Sequence, residues 1–205
     1  MAVLLVTTGA TVTFRALVSQ VLTSNFVQKA QNAGFSKIVL QYGNEIHGEK
    51  HQSRQFFDKC LRGSNLVSSL KLKEKSNNKN GSVSFSAPDF ELVCFPFTPN
   101  ITDYITQADV VISHAGTGSI IDTLHRNKKL VVVVNEQLMD NHQREIAREF
   151  AASNYCMRFE CDKLGTDSFG TTLQKLLNDE IRFDRFPVSD GAVLETILME
   201  ELSAA

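Results

Sequence analysis

An α/β fold with a mostly parallel, Rossmann-like sheet and helices on both faces is predicted by three features of the sequence. Short continuous apolar runs recur along the chain, as strands buried on both faces require. Segments with apolar residues at helical spacing separate them, which makes βαβ units and hence parallel strands. Glycine-bearing turns, VTTGAT and SHAGTGS, stand where two of the strands would enter helices.

The elements follow in order. Ala2–Thr7 is the first strand. Phe14, Leu17, Val18, Val21, Leu22 and Phe26 then fall on one helical face, with Gly34 as the stop. Lys37–Tyr42 is the second strand and Glu91–Phe95 the third, followed by a short helix that Asn100 would cap. Val110–Ser113 and Leu130–Val134 are the fourth and fifth strands. Asn141–Ser153 is a helix with Ile146, Ala147 and Phe150 on one side. Ala192–Leu202 places Val193, Leu194, Ile197, Leu198 and Leu202 on one stripe, which packs on the chain's own sheet or meets a partner. Between strands two and three, about 45–88, lies a polar insertion. Its centre, KLKEKSNNKNGS (71–82), reads as a mobile loop. It is either a solvated insertion or a basic loop near an anionic membrane or phosphorylated lipid.

The bulk numbers bound the function. A chain of 205 residues suits one well-buried domain, here taken as 1–205. The net charge of −2 gives no reason to expect a nucleic-acid partner. No apolar run approaches the roughly 20 residues that cross a bilayer, and MAVLLVTTGAT lacks the basic start and cleavage site of a signal peptide. Cys60, Cys94, Cys156 and Cys161 form no CxxC pair, and the five histidines show no HxxxH spacing. Free thiols and no bound metal are therefore expected.

In a parallel sheet, ligands bind where strands end and loops enter helices. Glycine there lets the backbone approach phosphate oxygens, and the next helix offers unpaired N–H groups at its positive end. Thr8, Gly9, Ala10 and Thr11 form the first such loop; His114, Ala115, Gly116, Thr117, Gly118 and Ser119 form the second. Thr8, Thr11, Thr117 and Ser119 add hydroxyls. The strict dinucleotide fingerprint fails because position 121 is Ile121, and no GK[ST] occurs. An NAD-dependent enzyme is correspondingly disfavoured.

Asp122 follows Ser119 by three residues, so it is either the partner in an S-x-x-D capping box or a carboxylate for ribose hydroxyls. His114, at the end of a strand, is a donor to a diphosphate, an acid or base, or a loop histidine bonded locally. Asn141, His142 and Gln143 open a helix at the same sheet edge, with groups suited to sugar hydroxyls.

The stretches LLVTTGAT, DVVISHAGTGSIIDTL, KLVVVVN and LMDNHQREIA, with FPVS near the end, occur in the order and spacing of a known family. The chain resembles the soluble, donor-binding subunits of the fungal UDP-N-acetylglucosamine:dolichyl-diphosphate-N-acetylglucosamine β-1,4-N-acetylglucosaminyltransferases. The resemblance covers most of the chain and is weakest over 45–90. It implies the C-terminal half of a GT-B glycosyltransferase, related to the bacterial enzyme that adds N-acetylglucosamine to lipid I. It further implies inverting transfer to N-acetylglucosaminyl-diphospho-dolichol without a cofactor. The setting would be the cytosolic face of the endoplasmic reticulum, in a heterodimer with a membrane-anchored subunit.

Carried onto these residues, the resemblance places Thr8–Thr11 and His114–Ser119 near the donor diphosphate. It places Asp122 at the ribose and Asn141, His142 and Gln143 at the sugar or phosphates. His114 is the expected catalytic residue, although the bacterial relative has no histidine there, and the acceptor base is expected from the partner. A non-catalytic scaffold that docks a partner through the C-terminal stripe is the competing reading.

Overall fold

The computed structural model describes residues 1–9, 12–78, 80–134 and 141–187, with the backbone alone at Asn141 and His142. The chain runs β1 (Ala2–Thr7), α1 (Arg15–Val21), α2 (Ser24–Asn32) and β2 (Phe35–Gln41). A hairpin of β3 (Ile46–His47) and β4 (Lys50–His51) then leads into α3 (Gln52–Gly63) and α4 (Leu66–Ser69). Next come β5 (Lys73–Asn77), β6 (Val83–Ala87), β7 (Phe90–Phe95), α5 (Ile101–Gln107) and β8 (Val110–His114). The remainder is α6 (Thr117–Leu124), β9 (Lys129–Val133), α7 (Asn141–Ala152), β10 (Met157–Phe159) and α8 (Asp167–Leu177).

The main sheet has the order β10-β9-β8-β1-β2-β7-β6-β5. The strands from β10 to β7 are parallel, and β6 and β5 extend that edge as an antiparallel hairpin. The expected α/β, mostly parallel class is what forms. Its cause is visible in β1, where Leu4 and Val6 enter the core cluster on one face and Leu5 the cluster on the other. Burying each such side chain is worth about 1.5–3 kcal/mol. Helices α1, α2, α3 and α8 supply residues to the first cluster, and α5, α6 and α7 to the second.

The order also sets the place of a ligand. From β1 the chain lays β2 and β7 on one side and then β8, β9 and β10 on the other. The direction reverses between β1 and β8, and such a switch point opens a crevice at the carboxyl ends of the strands.

Several expectations are corrected. The long first helix is two, because the Thr23 hydroxyl accepts from Phe26 N at 3.2 Å and donates to Gln20 O at 2.8 Å, capping α2 and closing α1. The 71–82 segment includes strand β5, paired with β6, whose Val83 and Phe85 are buried. Its turn is fastened at Gly81, whose carbonyl accepts from Tyr42 Oη at 2.8 Å and Arg54 Nη1 at 2.5 Å. Asn100 stands at the N-cap of α5 but makes no side-chain capping bond. Strand β10 and helix α8 are additions; Phe169 of α8 stacks on Phe26 with centroids 6.2 Å apart. The C-terminal stripe of Val193, Leu194, Ile197, Leu198 and Leu202 lies outside the described residues.

Candidate functional site

Strands β1 and β8 are direct neighbours, with Thr7 opposite Ser113. The two glycine loops therefore leave the sheet side by side at the switch point. This adjacency joins sequence segments more than a hundred residues apart.

The first loop is built around a buried polar lattice. Thr7 donates its hydroxyl to Gln41 Oε1 at 2.5 Å, and Thr8 donates its own to Gln41 O at 3.0 Å. Thr8 is 3% exposed and its one hydroxyl proton is used, so it contributes backbone rather than a free donor. Gly9 has φ +81°, a conformation that L side chains rarely adopt. Ala10 and Thr11 lie outside the described residues. Beyond them, Thr13 Oγ1 and Ser53 Oγ are 2.7 Å apart, and Glu45 N donates to that Ser53 oxygen at 2.8 Å.

Glu45 closes this lattice. Thr13 N donates to its Oε2 at 3.2 Å, and His47 Nε2 is 3.2 Å from Oε1. The Thr13 hydroxyl, assisted by that N–H and by Arg15 and His47, holds the Glu45 carboxyl below the usual carboxylate range against the cost of burial. Sequence reasoning missed Thr13, Glu45 and Ser53, since nothing in their spacing tells that the loops after β1 and β2 meet.

The second loop leads into α6, whose N-cap is Gly116 and which no side chain caps. The N–H groups of its first turn are thus left for water or a ligand, at the positive end of the helix. Gly118 is open, and a Cβ there would touch nothing within 4 Å. Thr117 is the first residue of α6 and Ser119 the third, while Ala115 is buried. Ser119 is therefore not the N-cap, and the S-x-x-D box expected with Asp122 does not form. The Asp122 carboxylate, about half-exposed, makes a loose ion pair with Arg126 at 3.7 Å.

His114 sits between the loops. Burial pushes its imidazole pKa below the ordinary value, and the Thr7 backbone opposes that shift. Its Nδ1 is buried without a partner in good geometry among the described residues. Asn141, His142 and Gln143 open α7, which follows β9 in the chain. The side chains of the first two lie outside the description, and Gln143 Oε1 is buried without a partner among the described residues.

Large apolar side chains also stand exposed along the carboxyl ends of the strands: Val12 (45%) after β1, Ile46 (56%) after β2 and Phe97 (44%) after β7. None was singled out from sequence, where each looks like an ordinary core residue. Among the described residues there is no group of three or more His, Cys, Asp or Glu side chains placed to hold a metal ion. The four cysteines are free, and among the described residues no helix is long and apolar enough to cross a membrane.

A Rossmann-like sheet with two glycine loops at its switch point and an uncapped helix start beside them has the architecture of a GT-B glycosyltransferase half. Residues 3–192 match the glycosyltransferase family 28 C-terminal domain, and the chain belongs to that family. Several proteins named UDP-N-acetylglucosamine transferase subunit ALG13 are similar over nearly its whole length. That of Candida albicans is 38% identical over 97% of this chain and 73% of its own. That of Debaryomyces hansenii is 37% identical over 97% of each. An NMR solution structure of ALG13 superposes with TM-score 0.61 at 29% identity, covering 96% of this chain and 94% of that one. The crystal structure of Acinetobacter baumannii MurG shares the fold at 14% identity, with TM-score 0.52 over 88% of this chain and 46% of MurG.

Proposed function

We propose that this chain is the donor-binding subunit of a two-part glycosyltransferase. It would move N-acetylglucosamine from UDP-N-acetylglucosamine to N-acetylglucosaminyl-diphospho-dolichol when a membrane-anchored subunit supplies the other half. The observation that carries this reading is the pair of glycine loops side by side at the switch point, with the second running into the uncapped start of α6 and Asp122 farther along that helix. The names of the ALG13 relatives supply the donor and the word subunit.

In the proposed reaction the acceptor hydroxyl oxygen attacks the anomeric carbon, the bond to the β-phosphate breaks, and UDP leaves with the electron pair. Negative charge then grows on the diphosphate. The loop that begins at Thr8 and Gly9 and the amides of Thr117, Gly118 and Ser119 would meet that charge, aided by the α6 dipole. Asp122 accepts from the ribose hydroxyls, and Asn141, His142 and Gln143 meet the sugar. The partner brings the base that takes the acceptor proton, and the chain is held through it at the cytosolic face of the endoplasmic reticulum. The stripe of Val193, Leu194, Ile197, Leu198 and Leu202 is the proposed contact.

Transfer from labelled UDP-N-acetylglucosamine to N-acetylglucosaminyl-diphospho-dolichol tests this. The purified chain is inactive alone and active with membranes carrying the partner. Full turnover by the chain alone would overturn the two-part reading. Activity of the pair that survives loss of UDP binding by this chain would make it a scaffold.

A further inference from the structure

We propose that His114 is a positioning residue of the donor site: its imidazole is a wedge that sets the spacing of the two glycine loops. Gly9 and Gly116 are then glycines because the ring stands where their Cβ atoms would be. This rests on the donor reading above.

The geometry is specific to these positions. A Cβ on Gly116 would lie 2.2 Å from His114 Nε2 and 2.8 Å from Cε1; one on Gly9 would lie 2.7 Å and 2.8 Å from the same atoms. Real Cβ atoms essentially never approach below 3.0 Å. The backbone of His114 is held opposite Val133 of β9, next to the Ser113 that pairs with Thr7 of β1, and the ring's Nδ1 is buried, so the imidazole is confined on the side away from the glycines. A small side chain in its place would let the loops close up, and a Cβ on either glycine would push the ring or the loop away.

The two glycines differ in a way that allows a test. Gly116 has φ −85°, an ordinary conformation for any residue, so alanine there meets only the ring. Gly9, at φ +81°, would be strained by alanine whatever the space around it. The cost of Gly116→Ala should therefore vanish when the imidazole is removed, and that of Gly9→Ala should not.

Thermal unfolding of the full chain reads this as a double-mutant cycle. Gly116→Ala lowers Tm by roughly 3–10 °C in the parent chain, the usual effect of overpacking. In a His114→Ala background it lowers Tm no further. Equal losses in both backgrounds would overturn the interlock. Titration with UDP reads the positioning role: His114→Ala weakens affinity about tenfold, or about 1.4 kcal/mol, and His114→Asn, a smaller planar group that keeps the fold if alanine does not, weakens it less. UDP affinity within twofold of the parent in folded His114→Ala, or in His114→Asn where the alanine variant does not fold, would overturn the role. A parent chain that binds no UDP would overturn the donor reading and the role with it, while the unfolding cycle would still judge the interlock.

Discussion

The Thr7 hydroxyl donates to Gln41 Oε1 across 2.5 Å, joining the carboxyl ends of β1 and β2 beneath the first glycine loop. Both residues are buried, at 1% and 3% exposure. Thr7→Val keeps the shape, removes the donor and leaves the Gln41 oxygen unsatisfied. A loss of about 1–3 kcal/mol follows from stranding a buried acceptor. Denaturant unfolding measures it; a loss under about 0.5 kcal/mol would mean the bond adds little beyond packing.

Asp122 faces the second prediction. Its capping role is removed by the start of α6 at Thr117, and its pairing with Arg126 is loose. Asp122→Ala should leave the unfolding midpoint nearly unchanged and weaken UDP by about 1–3 kcal/mol, the cost of losing a charged hydrogen-bonding group. Unchanged affinity would take ribose away from this residue.

A third prediction concerns pH. Burial lowers the folded-state pKa of His114 below the ordinary 6.5 that the unfolded chain retains. Between the two values the unfolded state binds more protons, so this residue's contribution makes stability fall as pH drops below about 6.5. Unfolding free energies at a series of pH values, compared between the parent chain and His114→Asn, isolate it. The parent should show the steeper decline; parallel curves would place the proton elsewhere.

Arg54 supports the fourth. Its guanidinium meets Gly81 O at 2.5 Å and Asp58 Oδ2 at 3.0 Å, tying α3 to the turn between β5 and β6. Arg54→Met keeps an unbranched stem and removes these donors. Backbone amide exchange in 73–87 should quicken by about tenfold or more, the equivalent of 1.4 kcal/mol of local opening. No change there would assign the hairpin's order to the Tyr42 bond and to the burial of Val83 and Phe85 instead.

How much of this was legible in the sequence depends on the range of the cause. The parallel strands are continuous apolar runs, so Ala2–Thr7 was bounded correctly and Val110–Ser113 and Leu130–Val134 to within one residue. Strand β5, KEKSN, was not, because its order comes from pairing with β6 and from Arg54 and Tyr42 rather than from its own composition. Gly34 was recognisable as a stop and has φ +108° after α2, whereas the cap at Thr23 that splits the first helix hides inside a helical stripe. In the candidate site the loops themselves were readable. The contact that defines them, His114 against Gly9 and Gly116, was not, because it depends on β8 settling beside β1. Glycine in these loops was read as room for a phosphate, and the structure gives two of them to an imidazole.

The most direct measurement is isothermal titration of the full chain with UDP-N-acetylglucosamine, with NADH as the control nucleotide. The account predicts saturable binding of the UDP-sugar and none of NADH, since the strict dinucleotide fingerprint is broken at Ile121. Binding of NADH in its place, or of neither, would contradict a donor site held by this chain.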